Sequence, residues 1–321
     1  MKTKEMRRFG DICCKTQAEL KRYLYSILQS NGYKPICQDG FLYAKGEMPY
    51  LVTAHMDTVH TVQCKRYSIY KYKGKHRIQS KSGIGGDDRC GIWMIVRMIL
   101  DGYRPSILFC EDEEVGGVGS DKFCKTDYLK DLMDMKYIIE LDRANAKDAV
   151  FYNCDNKEFT KYIEDNTGYI EEWGSFSDIS TLCPECGVAG VNLSCGYYKA
   201  HTTQEYVIFE EMENTLRVVE KLLRLECEQF DYIPAKHKTR GFFTESWYTG
   251  YYDSLYGNKS FSREITGMEI LYQEYQLRGE TYYPQEDSEW VWGESEAECL
   301  GKFFKSHPDT CYNDILDYNL M

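Results

Sequence analysis

Three short apolar runs in this chain each stop at a residue able to bind a cation. Tyr50–Ala54 runs into His55, Ser106–Cys110 into Glu111, and Lys136–Leu141 into Asp142. Runs of this length read as buried strands. Helical patterns lie between and around them. Thr16-Gln17-Ala18-Glu19 forms a capping box, and Leu20, Tyr23, Leu24, Ile27 and Leu28 then fall on one helical face up to Gln29. Gly91–Leu100 and Lys157–Asn166 read as helices, and Glu210–Cys227 as a long amphipathic one. Asp39-Gly40 turns a hairpin between strands at Tyr33–Cys37 and Phe41–Ala44, and Val62–Gln79 reads as a surface hairpin. Val150–Asn153 and Gly187–Leu193 complete the strands. Such alternation predicts an α/β fold with a mixed, mostly parallel sheet flanked by helices. In open α/β sheets the reacting groups gather at the carboxyl ends of strands.

The residues at those ends suit divalent metals. His55 and His201 supply imidazoles, and Asp57, Asp87, Asp88, Glu111–Glu114 and Asp142 supply carboxylates. Two metals about 3.5–4 Å apart can clamp a water and a carbonyl together. Such a site needs a bridging carboxylate, a His and a further carboxylate for each ion, and a base that is not a ligand. Asp57 sits two residues after His55, within reach of its imidazole. Asp87 follows the glycine-rich Gly83–Gly86, where backbone can come close. Glu113 and Glu114 are neighbours, and neighbours on extended chain point oppositely. One of them can ligate while the other faces the water.

The set His55-x-Asp57-Thr58-Val59, Gly83–Arg89, Glu113-Glu114-Val115-Gly116, Leu141-Asp142 and His201-Thr202 resembles the zinc exopeptidases with co-catalytic metals. That superfamily holds peptidase T, the carboxypeptidase G type and bacterial zinc aminopeptidases. The resemblance spans roughly residues 35–225 and rests on five motifs in the right order. It implies that His55 and Asp142 bind one zinc and that Glu114 and His201 bind the other. It also implies that Asp87 bridges, Glu113 is the general base and Asp57 orients His55. The family bridges with the Asp two residues before the basic residue, here Arg89, which selects Asp87 over Asp88. It implies two Zn2+ per chain, with Co2+ or Mn2+ as alternatives. Only 58 residues lie between Asp142 and His201, too few for the domain-sized lid that peptidase T inserts there.

A net charge of −12 argues against nucleic acid or an anionic membrane as partner. No run is long and apolar enough to span a bilayer. The charged start Met1–Arg8 lacks the apolar stretch of a secretory signal. Fourteen Cys without such a signal suggest reduced thiols in the cytoplasm. The Cys183-x-x-Cys186 pair lacks the two further ligands a structural zinc needs, so it reads as buried thiols. His60 reads as a surface histidine and Asp178 as a helix N-cap. After about Asp231 the texture turns aromatic and acidic. The expected division is therefore a catalytic domain at 1–231 and an appendage at 232–321, with a small helical module near Ala297–Ser306 and no site residue in the appendage.

The function expected is hydrolysis of peptide bonds by an aminopeptidase or small-peptide peptidase. The substrate would be a peptide or an amino-acid derivative. An amidohydrolase that deacylates N-acyl amino acids would use the same chemistry. A non-catalytic binding protein is a third reading, and the completeness of the ligand set argues against it.

Overall fold

The Thr16 hydroxyl accepts the Glu19 N–H at 3.2 Å, and the Glu19 carboxylate accepts the Thr16 N–H at 2.9 Å. This capping box starts the helix Gln17–Ser30 where the sequence places it, and losing such a cap costs about 1 kcal/mol. The computed structural model describes residues 2–235 and the backbone of three later strands. The chain divides into two compact units, Met1–Lys236 and His237–Met321.

The first unit begins with α1 (Lys2–Cys13), α2 (Gln17–Ser30), β1 (Ile36–Gln38), β2 (Phe41–Ala44) and β3 (Met48–His55). Next come the hairpin β4 (Ser68–Tyr72) and β5 (Lys75–Gln79), then α3 (Gly86–Leu100), β6 (Pro105–Cys110) and α4 (Val118–Cys124). After a 3-10 turn at Asp127–Leu132 follow β7 (Tyr137–Arg143), β8 (Asp148–Val150), α5 (Lys157–Thr167), β9 (Ile170–Glu171) and α6 (Asp178–Cys186). The unit closes with β10 (Gly190–Ser194), β11 (Tyr197–Tyr198), β12 (Tyr206–Ile208) and α7 (Phe209–Leu222).

Eight strands form one mixed sheet in the order β1-β2-β6-β3-β7-β10-β8-β9. Its centre is parallel, with β6, β3, β7 and β10 side by side. Thr53 pairs with Leu108 on one side and Glu140 on the other. That register brings the carboxyl ends of β3, β6 and β7 level. Both faces are covered. Val52, Ala54, Phe109 and Ile139 pack with Leu24 and Trp93 on one side, while Leu51, Leu108 and Ile138 pack with Phe123 and Leu182 on the other. Side chains alternate along a strand, so His55 and Asp142 share the side of Leu51 and Ile138. A second sheet, β11-β12-β5-β4, is antiparallel.

Several elements differ from expectation. The helix α1 lies where the sequence suggested only a charged start, and its Met6, Phe9 and Ile12 are buried. Pro184 sits inside α6 and hid that helix from a propensity reading. The final helix stops at Leu222 rather than Cys227. Ser177, not Asp178, is the N-cap of α6, and Asp178 is its fully buried first residue. In the second unit β13 (Met268–Arg278), β14 (Thr281–Val291) and β15 (Ile315–Leu320) form an antiparallel sheet with β13 in the middle. The helical module expected near Ala297–Ser306 lies outside the described residues. No helix among the described residues is long and apolar enough to cross a membrane.

At the start of α7, Glu210 ties three segments together. Its carboxylate meets Lys2 Nζ at 2.8 Å, His76 Nδ1 at 2.7 Å and the His76 N–H at 2.7 Å. Burial pushes this carboxyl up, but the bonds from Lys2 and His76 prevail and hold it at about 2. A depressed carboxyl stabilises the fold above its unfolded value of about 4.3, and that stabilisation fades as the pH falls toward about 2. Glu210→Gln should therefore melt below wild type at neutral pH, and the gap should close in acid. A melting-temperature gap unchanged between neutral pH and about pH 2.5 would contradict this linkage.

Candidate metal centre

His55 is the last residue of β3 and is fully buried. Its Nδ1 stands 3.1 Å from Asp57 Oδ1. A carboxylate can only accept, so Nδ1 donates its proton to Asp57, which fixes the ring with Nε2 facing Asp87; a metal bound at Nε2 would take the place of the proton there. Asp57 has a second task. Its two oxygens accept the Glu113 and Glu114 N–H groups, both at 3.0 Å. One side chain thus fixes a histidine and the turn that carries both glutamates.

Asp87 reaches the same place through a glycine path. Gly85 has φ +67°, and a Cβ on Gly86 would meet Val207 Cγ2 at 2.8 Å and Tyr197 Cβ at 2.9 Å. Only glycine fits so close an approach. Asp87 Oδ1 stands 3.1 Å from His55 Nε2, and its Oδ2 stands 3.1 Å from His201 Nε2. Asp88, joined to it by a cis peptide, turns elsewhere. Its oxygens accept the His55 N–H at 3.1 Å and the Gly91 N–H at 2.9 Å.

Asp142 ends the apolar part of β7. Its N–H donates to Asn192 Oδ1 at 2.9 Å, and its Oδ1 is 3.5 Å from His55 Nε2. Glu114 Oε2 is 3.2 Å from His201 Nε2. Two triads result, His55–Asp87–Asp142 and Asp87–Glu114–His201, each with ligand atoms within 4.8 Å of one another. Asp87 belongs to both. Glu113 belongs to neither, and its Oε2 lies 3.9 Å from His55 Nε2.

The electrostatics of this cluster call for a cation. Asp87 and Glu113 are buried. Like charges about 4 Å apart repel by roughly 4 kcal/mol at an effective dielectric near 20. Burial pushes the Asp142 carboxyl up to about 7, with the Asp87 charge adding to it. Burial likewise drives Glu113 well up, helped by Asp142 and Glu114. Burial also pushes Asp87 up, but hydrogen bonds from His201 and His55 hold it well below the carboxylate range. The buried Arg89 donates to the Met56 and Lys15 carbonyls, and its charge acts on Asp57 and Asp88. Glu114 Oε1 is buried without a partner. Two imidazoles, an orphaned carboxylate oxygen and a shared aspartate fit divalent ions with nitrogen and oxygen ligands. A bound divalent cation would return these carboxyls to their charged form.

The seven residues to which the resemblance gives a role therefore meet at one end of the sheet, whereas Glu111 pairs instead with Lys21 and the Gly40 N–H. Sequence reasoning missed their supports. Ser177 Oγ donates to Asp142 Oδ2 at 3.4 Å, and Tyr197 Oη donates to the Asp142 carbonyl at 3.2 Å. His60 is not the surface residue expected. It is half-buried, with Nε2 2.8 Å from the buried Glu205 carboxylate. Cys183 and Cys186 are free thiols buried within α6.

No family model matches the chain, and no curated protein matches it by sequence. Solved structures do. The aminopeptidase PepT of Bacillus cereus superposes with a TM-score of 0.54 at 15% identity, covering 68% of this chain and 97% of that one. A tripeptidase of Staphylococcus aureus gives 0.55 at 12%, over 70% and 98%. An aminopeptidase of the archaeon Desulfurococcus kamchatkensis gives 0.52 at 12%, over 69% and 94%. The chain shares the fold of these peptidases. In this chain, the segment between Asp142 and His201 forms β8, α5, β9, α6, β10 and β11. No lid domain is inserted there.

Proposed function

We propose that the chain is a metal-dependent exopeptidase, an aminopeptidase or small-peptide peptidase using two Zn2+ ions. The observation that carries this reading is the position of Asp87, with one oxygen toward each histidine and a place in both triads. His55 and Asp142 would hold one ion, Glu114 and His201 the other, and Asp87 would be shared. When bound, the pair supplies Lewis acidity toward the scissile carbonyl and a water of lowered pKa. Glu113, outside both triads, takes the water's proton and passes it to the leaving amine. Asp57 keeps the His55 tautomer and the Glu113–Glu114 turn in place. The likeness to structures described as aminopeptidases and a tripeptidase supports a free α-amine on the substrate. All twelve described cysteines are free, which fits a reducing, cytoplasmic setting.

The test is metal analysis of the purified chain with a panel of free-amine and N-acetylated dipeptides. Two zinc ions per chain, loss of hydrolysis on chelation and cleavage of the free-amine members are expected. Hydrolysis of the N-acetylated members alone would replace this reading with deacylation.

A further inference from the structure

Glu205 lies four residues after His201 and is completely buried. A carboxylate so placed must be satisfied by donors. Its Oε2 accepts the Gly85 N–H at 2.7 Å, and its Oε1 accepts the Asp87 N–H at 3.0 Å. The third partner is His60 Nε2, at 2.8 Å from Oε2. With only an accepting partner, that nitrogen carries the imidazole proton. His60 is held in turn, because its own N–H donates to Thr58 Oγ1 at 3.1 Å. A Cβ on Gly83 would lie 2.1 Å from the His60 ring, so the glycine-rich path runs flush against the histidine.

The loop that carries Glu205 also carries His201. Its turn is fixed by the Thr202 hydroxyl donating to the Lys199 carbonyl at 2.9 Å and by the Glu205 N–H donating to the Thr202 carbonyl at 3.0 Å. His201 thus meets the Asp87 side chain while Glu205 grips the Asp87 backbone. We infer that Glu205, locked by His60, is a positioning residue that sets where the Asp87 carboxylate stands between His55 and His201. The pair would govern how tightly both metal ions are held without ligating either. This inference rests on the two-metal reading of the site.

The carboxylate is needed for a stated reason. Glu205→Gln keeps the size but turns an NH2 group toward an N–H or the imidazole. The grip on Gly85 or Asp87 is then lost. Partners that hold a metal ligand typically change metal affinity by about 10–100-fold when removed.

The test uses the full chain stripped of metal, with Zn2+ titrated in competition with a chromophoric chelator and Co2+ absorption as a second probe. Metal-free Glu205→Gln should still melt cooperatively, yet bind zinc about 10–100-fold more weakly, with an altered Co2+ spectrum. His60→Ala should shift both readouts the same way and by less. A merely structural role would lower the melting temperature and leave the zinc affinity and Co2+ spectrum of the folded protein unchanged. That outcome in Glu205→Gln overturns the inference. Should Glu205→Gln fail to fold, a folded His60→Ala chain with wild-type affinity and spectrum overturns it equally. Wild type that binds two zinc ions while both variants match it removes this inference alone. Wild type that binds no zinc removes the two-metal reading as well.

Discussion

Asp87→Asn should weaken the hold on both metal ions and lower kcat/KM by on the order of 10³-fold or more, since each ion contributes several kcal/mol of charge stabilisation. Asp87 is the residue common to the His55–Asp142 and Glu114–His201 clusters. An amide has one acceptor oxygen and no charge, so it can serve at most one side. The neighbouring Asp88 gives the matched control. Its oxygens hold the His55 and Gly91 N–H groups, and an amide there sets an NH2 against a donor. Asp88→Asn should therefore destabilise the fold by about 1–3 kcal/mol and retain more metal than Asp87→Asn. Metal counted by mass spectrometry, alongside melting curves, separates the two. An Asp88→Asn protein that is folded and empty, beside an Asp87→Asn protein that keeps two ions, would exchange their roles.

The distinction between Asp87 and Asp88 also marks what the sequence could convey. Strands ending in His55, Glu111 and Asp142 were legible because a parallel sheet needs continuous apolar runs and leaves their ends free for chemistry. The order of the motifs brought the family resemblance, and the sheet and its flanking helices follow it. Local pattern could not reveal Glu205. A single Glu in a polar loop has no periodicity, and its burial depends on β12 pairing with β5 to bring the loop against Gly85. The same holds for Ser177, whose hydroxyl reaches Asp142 only because α6 packs beside β7. The helix α1 was missed because its apolar contacts are spread among charges, and Lys2 finds its partners, Glu210 and Glu213, on α7. Tertiary contact, not propensity, decides such elements.

Glu113→Gln should keep two metal ions per chain and lose about 10²–10⁴-fold in kcat, the usual loss when a general base is removed. The reason lies in how the adjacent glutamates are held. Asp57 fixes both backbones through equal bonds of 3.0 Å, so neither can shift without the other. Their side chains diverge from that common anchor. Glu114 Oε2 is 3.2 Å from His201 Nε2 and its Oε1 is an unpartnered buried oxygen, as expected of a ligand. Glu113 stands apart from both triads, where an amide of equal size changes proton transfer and not coordination. Glu114→Gln should instead lose the ion it shares with His201 and fall in activity for that reason, and added zinc should restore part of it. Added zinc should restore nothing in Glu113→Gln, because its ions are already in place. Zinc rescue of Glu113→Gln, with full metal content in Glu114→Gln, would assign the base to Glu114 and the ligand to Glu113.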